Sequence, residues 1–241
     1  MPGPLIAFYD FDPPDHSGNG NTLTAVGNPG TTNGIDGTPN TAMRLDDGST
    51  FGFYSAPQWV SACPFSMTAF VKFSTPPGNQ RNLVALAGGF VTAGIQVNGP
   101  TSVKAGFIGK GLTAFVDGPP ILDVGWHHLV VTVSAPNPTD VTVKLYKDNA
   151  LVATGSGPPD FSGITSGAIT NNVPQSAAVE YVGVYNTEID AATVAILFSG
   201  GQGRDPTLSV AAGMTGLHAT ARQPRPTATA RQPSLTAVTI P

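Results

Sequence analysis

The sequence predicts an all-β fold, a sandwich or jelly roll of short antiparallel strands, with one short helix and an extended C-terminal arm. Three observations predict it. Among 241 residues stand 29 Gly and 23 Pro, a density of turn formers that favours many short strands over helices. Apolar and polar residues alternate at period two in the second half of the chain, as in Leu129, Val131 and Val133 and again in Val141, Val143 and Leu145. Past Gly203 the composition changes: residues 206–241 contain no Asp or Glu, and their only charged groups are Arg222, Arg225 and Arg231. The expected organisation is one β domain over residues 1–203 and an arm over residues 204–241.

In chain order, residues 5–11 form a first strand and residues 12–21 a turn-rich loop. Short strands are expected at 22–26, 42–45 and 51–54. The run 65–73 is stronger, with Met67, Ala69, Val71 and Phe73 on one face and Ser66, Thr68 and Lys72 on the other. Phe70 interrupts the polar face, so this strand is expected to be covered on both sides. Segments 83–87, 94–97, 103–108 and 112–116 follow at short spacing, separated by Gly or Pro, the rhythm of a sandwich or jelly roll. Strands 129–133 and 141–146 precede Asp148-Asn149, a two-residue turn whose members both tolerate positive φ. The hairpin continues through 150–155, and 179–185 is the last strand. A helix is expected at 191–199. Asp190 is its N-cap, accepting the free amide hydrogens of the first turn, and Gly200 suits the left-handed residue that closes it.

Bulk properties remove several functions. A net charge of −4 supplies no general attraction to nucleic acid. No apolar run reaches about 18 residues, so no membrane span is expected. Met1-Pro2-Gly3-Pro4 lacks the basic region and apolar run of a signal peptide. The single cysteine, Cys63, allows no intrachain disulfide and reads as a small core hydrophobe beside Pro64. Assembly in a reducing compartment, the cytoplasm of a host cell, is the matching expectation.

Several distant segments carry a family likeness. They are Ala7-Phe8-Tyr9-Asp10-Phe11-Asp12, the loop Asp15 to Asn21, and Gly125-Trp126-His127-His128 leading into an apolar strand. The hairpin Val143 to Gly155 and the run Val182 to Asp190 complete the set. Together, in this order, they resemble a laminin-G-like domain of the concanavalin A-like lectin/glucanase class. The resemblance implies a concanavalin A-like jelly-roll β-sandwich with a short helix after the last strand. It implies that Trp126 packs in the core and that one of the two histidines satisfies backbone groups. It also implies calcium as a candidate cofactor, with Asp15, Asn19 and Asn21 as ligands and Glu180 as the acid from the last strand. Closely spaced Asp, Asn and carbonyl oxygens in a Gly-rich turn suit that hard cation; a metal-free turn is the alternative.

Catalysis is not expected. Retaining glucanases need two carboxyl groups about 5–5.5 Å apart, which the family places on one strand as Glu-x-Asp-x-Glu. This chain has only Glu180 and Glu188, eight residues apart in sequence, and no such motif. Asp10 and Asp12 share a face of the first strand, at an end where the family has structural residues. Adjacent strand residues point to opposite faces, so His127 and His128 cannot converge on one ion. His16 and His218 are isolated, and no triad is legible. Gly18-Asn19-Gly20-Asn21 is not a phosphate loop, because no Lys-Ser/Thr or helix follows. For sugar binding, Trp59 and Tyr54 are the candidates: an exposed aromatic platform stacks on a sugar face, or the two fill a loop-covered edge of the core.

The arm repeats Thr-Ala-Arg-Gln-Pro at 220–224 and 229–233. Two copies do not make a solenoid. A Pro/Thr/Ala-rich arm cannot bury enough of itself to be ordered alone, so it is a disordered tail or it docks elsewhere. Fully extended, its thirty-six residues reach about 120 Å. The expected function is a non-enzymatic virion structural protein, a capsid decoration or cement protein. In that reading it grips itself and a capsid protein through this arm, with Arg222, Arg225 and Arg231 meeting acidic surface. The alternatives are a phage tail or fibre adhesin for bacterial surface glycan and a free carbohydrate-binding module.

Overall fold

A computed structural model describes residues 5–10, 14–27, 29–45, 53–73, 80–88, 91–98, 102–108, 115–118, 125–137, 139–169 and 177–198. The arm with Arg222, Arg225 and Arg231 lies outside the described residues, as do Asp12, Gly200 and His218.

Fifteen strands and one helix are described. The first half holds β1 (Leu5–Tyr9), β2 (Thr24–Val26), β3 (Gly30–Thr32), β4 (Ala42–Leu45), β5 (Phe53–Pro57), β6 (Phe65–Phe73), β7 (Gln80–Gly88) and β8 (Val91–Asn98). The second half holds β9 (Ser102–Ile108), β10 (Phe115–Gly118), β11 (Trp126–Asn137), β12 (Asp140–Lys147), β13 (Ala150–Gly157), β14 (Ser166–Ile169), β15 (Ala177–Tyr185) and α1 (Ala191–Phe198). They form two antiparallel sheets. The eight-stranded sheet runs β13-β12-β11-β6-β15-β4-β3, with β1 added to β15; the seven-stranded sheet runs β10-β9-β8-β7-β14-β5-β2.

Period-two alternation builds the core between them. Met67, Ala69, Val71 and Phe73 of β6 face Leu83, Leu86, Ile95, Val97, Val103 and Phe107 of the other sheet in one apolar cluster. Phe65, Phe107 and Phe161 meet edge to face, with ring centroids 5.8, 5.0 and 6.2 Å apart. Full burial of one such side chain is worth about 1.5–3 kcal/mol. Cys63 is half-buried against this cluster, and burial pushes its thiol up to about 11.

β6 spans the residues expected of it, and both its faces are covered. Its outer side lies under α1, where Val130, Tyr146, Tyr185, Ile189, Val194 and Leu197 make a second cluster. Phe70 stacks on His128 at 4.4 Å, and Phe198 of the helix lies 5.9 Å from the same imidazole. His128 Nε2 bonds Thr68 Oγ1 at 2.6 Å. Burial holds this histidine neutral, lowering it from 6.5 to about 4. The helix begins where the sequence places it: Thr193 N–H donates to Asp190 Oδ1 at 2.7 Å. Ser66 Oγ donates to Thr187 O at 2.8 Å and accepts from Ile189 N–H at 3.0 Å, which holds the helix approach on β6.

The Asp148-Asn149 turn is observed, with φ of 51° and 68°. The Asp148 carboxylate bonds His127 Nδ1 at 2.8 Å and accepts the His128 N–H at 2.9 Å. The histidines therefore face opposite ways, as expected. One detail of the family resemblance is corrected. Trp126 is half-buried opposite Lys72 rather than in the core, and the imidazoles bond the side chains of Thr68 and Asp148. The sequence reading also missed β3 and β14, which are three and four residues long and too short to show a period.

Candidate binding face

Three groups of residues compete for a functional role, and the structure separates them. The first is the loop proposed for calcium. Its side chains serve the free edge of β1. Asp15 Oδ1 accepts the N–H of Phe8 at 3.0 Å and of Ser17 at 2.9 Å, and Oδ2 accepts that of Asn21 at 2.9 Å. These bonds outweigh the penalty of partial burial and hold the Asp15 carboxyl below the usual range. Asn19 Nδ2 donates to Leu5 O at 2.7 Å, and Asn21 Nδ2 donates to Ile6 O at 2.8 Å. His16 N–H donates to Phe8 O at 2.8 Å. The loop thus takes the place of a further strand.

Glu180 does not join that loop. It sits where β15 bulges, between Glu180 and Gly183, with Tyr181 at φ 53°. Its Oε2 accepts the Ile35 N–H at 2.8 Å, and Gly34 lies so close that a Cβ there would stand 2.9 Å from both carboxyl oxygens. Only glycine lets the 33–41 loop seal this acid. Burial first, then the neighbouring charges of Asp10 and Asp36, push Glu180 from 4.5 up to about 7. At 1% exposure no substrate reaches it. The other glutamate, Glu188, is paired with Lys144 at 2.8 Å. Among the described residues no group of three His, Cys, Asp or Glu side chains could hold a metal ion.

The aromatic pair is also inside. Trp59 and Tyr54 are each 5% exposed, which corrects the exposed-platform expectation in favour of its alternative. Trp59 Nε1 donates to the Tyr9 hydroxyl at 3.0 Å, and that hydroxyl donates to Asn21 O. Gly167 lies under the indole, where a Cβ would come within 2.5 Å of the ring.

The third group was not anticipated. On the seven-stranded sheet, Ala93, Ile95 and Val97 of β8 face the core, so Gln96 faces outward. Register then lines up a polar row across four strands: Asn82 opposite Gln96, Gln96 opposite Lys104, and Lys104 opposite Asp117. Gln96 Nε2 donates to Asn82 Oδ1 at 2.7 Å. Gln96 is 4% exposed, and its Oε1 is a buried acceptor with no hydrogen-bond partner. Exposure grades outward along the row, with Lys104 half-buried and Asp117 exposed. One step along the strands, about 7 Å away, Ser55, Ala168, Ala85, Gly94 and Gly106 stand opposite one another across five strands. Gly94 and Gly106 have φ of 147° and 106°, which disfavours larger residues here; a Cβ on Gly94 would meet Val84 O at 2.3 Å and Met67 Sδ at 3.1 Å, and the strip is buried, Ala85 at 0% and Ala168 at 7% exposure. The signal in the sequence was faint: single polar residues, Gln96 between Ile95 and Val97 and Lys104 between Val103 and Ala105.

Two antiparallel sheets packed as a sandwich, with one short helix after the last strand, make a concanavalin A-like fold. The chain belongs to the concanavalin A-like lectin/glucanases superfamily, whose laminin G family model matches residues 36–195. No curated protein matches the chain. Among solved structures it is similar to the binding domain of botulinum neurotoxin serotype C1, with a TM-score of 0.63 and 13% identity over 83% of this chain and 52% of that one. It is similar to the binding domain of Paraclostridial Mosquitocidal Protein 1, with a TM-score of 0.62 and 14% identity over 80% and 51%. It is also similar to the binding domain of botulinum neurotoxin DC in complex with SialylT, with a TM-score of 0.61 and 12% identity over 83% and 51%. The chain spans about half the length of these chains, and at such identities the likeness is one of fold.

Proposed function

We propose that this chain is a non-enzymatic glycan-binding module whose receptor surface is the outer face of the seven-stranded sheet. The observation that carries the reading is the in-register row Asn82-Gln96-Lys104-Asp117, which reaches the surface at Lys104 and Asp117. Sugars present ranks of hydroxyls, which amide, ammonium and carboxylate groups bond in pairs. Gln96, buried and bonded to Asn82, braces the row from within, and the Lys104 ammonium and the exposed Asp117 carboxylate are the groups a sugar hydroxyl can meet. The similar folds are binding domains, one of them in complex with a sialylated glycan by its name and another with rat synaptotagmin II. Absence of a glucanase motif and the sealing of Glu180 support a role without catalysis.

A glycan array with the native chain, Asp117→Ala and Lys104→Ala tests this. Binding should fall at least tenfold in both variants, with thermal melting unchanged within a few degrees. Binding that persists in both, or an array with no signal for the native chain, would overturn it. The finer setting, a virion on which residues 204–241 tie the module to its neighbours, is supported by the composition of that arm. A phage adhesin joins the two readings: the arm holds and the sheet face binds.

A further inference from the structure

Sheet edges carry unpaired N–H and C=O groups, and folded proteins blunt them. Most edges here are blunted. β2 and β3 are three residues long and β10 is four. The outer edge of β1 is taken by the side chains of the 15–21 loop. β13 is different. It runs eight residues, Ala-Leu-Val-Ala-Thr-Gly-Ser-Gly, with no charge and no proline. Among the described residues it ends the eight-stranded sheet and pairs with β12 alone, and Leu151 is 52% exposed.

The chain leaves the described fold close to this edge. Phe198 closes α1 over His128 of β11, and only β12 separates β11 from β13, a distance of about 10 Å. Downstream, residues 234–240 read Ser-Leu-Thr-Ala-Val-Thr-Ile, uncharged and rich in β-branched residues. Pro233 and Pro241 bracket them, and a proline, lacking an N–H, ends ladder pairing at each side. The segment is seven residues long, a match for the eight of β13. Charge sets the direction. In an antiparallel pairing, residue 234 starts opposite Gly157, which brings Arg231 to the end of β13 that carries Asp140 and Asp160.

We propose that residues 234–240 add to the free edge of β13 as an antiparallel strand, extending the eight-stranded sheet. This goes beyond the glycan reading and does not depend on it. Main-chain bonds supply the affinity, and Arg231 against Asp140 and Asp160 supplies the register.

Amide hydrogen exchange on the full chain tests it, comparing native protein with Val238→Pro and Arg231→Glu. Both substitutions lie in the arm and leave the sandwich intact. Val238→Pro removes a donor from the middle of the segment; exchange over 150–157 should rise tenfold or more while β12 stays unchanged. Arg231→Glu should raise it in the same direction. Native protection that survives dilution assigns the segment to its own body, and protection lost on dilution assigns it to a neighbouring copy; both support the edge. Exchange over 150–157 that is unchanged in both variants overturns the proposal.

Discussion

Replacing Glu180 with Gln isolates the energetic weight of one buried acid. The side chain is 1% exposed beneath the 33–41 loop, with the Ile35 N–H on its Oε2. Burial raises its pKa from 4.5 to about 7, and Asp10 and Asp36 add to the rise. A raised folded pKa means that the neutral acid stabilises the fold. That contribution is fully present below about 4.5 and is lost as pH rises through about 7. The interval is worth about 3 kcal/mol. Gln keeps an oxygen for Ile35 and carries no charge. The variant should match the native chain near pH 4.5 and exceed its stability by up to about 3 kcal/mol at pH 8. Urea unfolding at pH 4.5, 6 and 8 measures this, and melting should shift by about 2–4 °C per kcal/mol for a domain of this size. A stability difference that does not change between the three pH values refutes the reasoning, since it would mean that Glu180 titrates alike in the folded and unfolded chain.

Other outcomes follow from the same geometry. His128 is depressed to about 4, so its contribution is present above about 6.5 and is lost as pH falls through about 4. Between about 4.5 and 6.5 its slope opposes that of Glu180, and native stability should be nearly flat; in His128→Gln it should rise as pH falls, read by urea unfolding. Asp148→Ala removes the acceptor of His127 Nδ1 and His128 N–H and should cost about 2 kcal/mol, with Asp148→Asn costing less in the same assay. Asp190→Ala should cost about 1 kcal/mol and speed amide exchange in the first turn of α1. Asp15→Ala leaves three amides without their acceptor and should raise exchange at Phe8 before that of β6.

The candidate site was less legible than the fold. Asp15, Asn19 and Asn21 have the composition of a cation loop. They form a cap for β1 because the same oxygens and amides that suit a cation also suit a strand's free N–H and C=O groups, and β1 lies within reach. Trp59 was visible as a large aromatic in a loop, but its depth depends on Gly167, more than a hundred residues away. Gln96 and Lys104 looked like ordinary interruptions of two strands.

Local chemistry alone determined the strand periods, the Asp148-Asn149 turn and the Asp190 cap, because each is decided by residues within a few positions of one another. Those signals, with the segment likeness, were enough to name the sandwich. Which strand lies beside which, and in what register, was decided only in three dimensions. Pairing brings Asn82, Gln96, Lys104 and Asp117 into one row, and among the described residues it leaves β13 at the end of its sheet. A one-residue slip would send any of those side chains to the other face, and no neighbouring residue in the sequence prevents that slip; the packed core does.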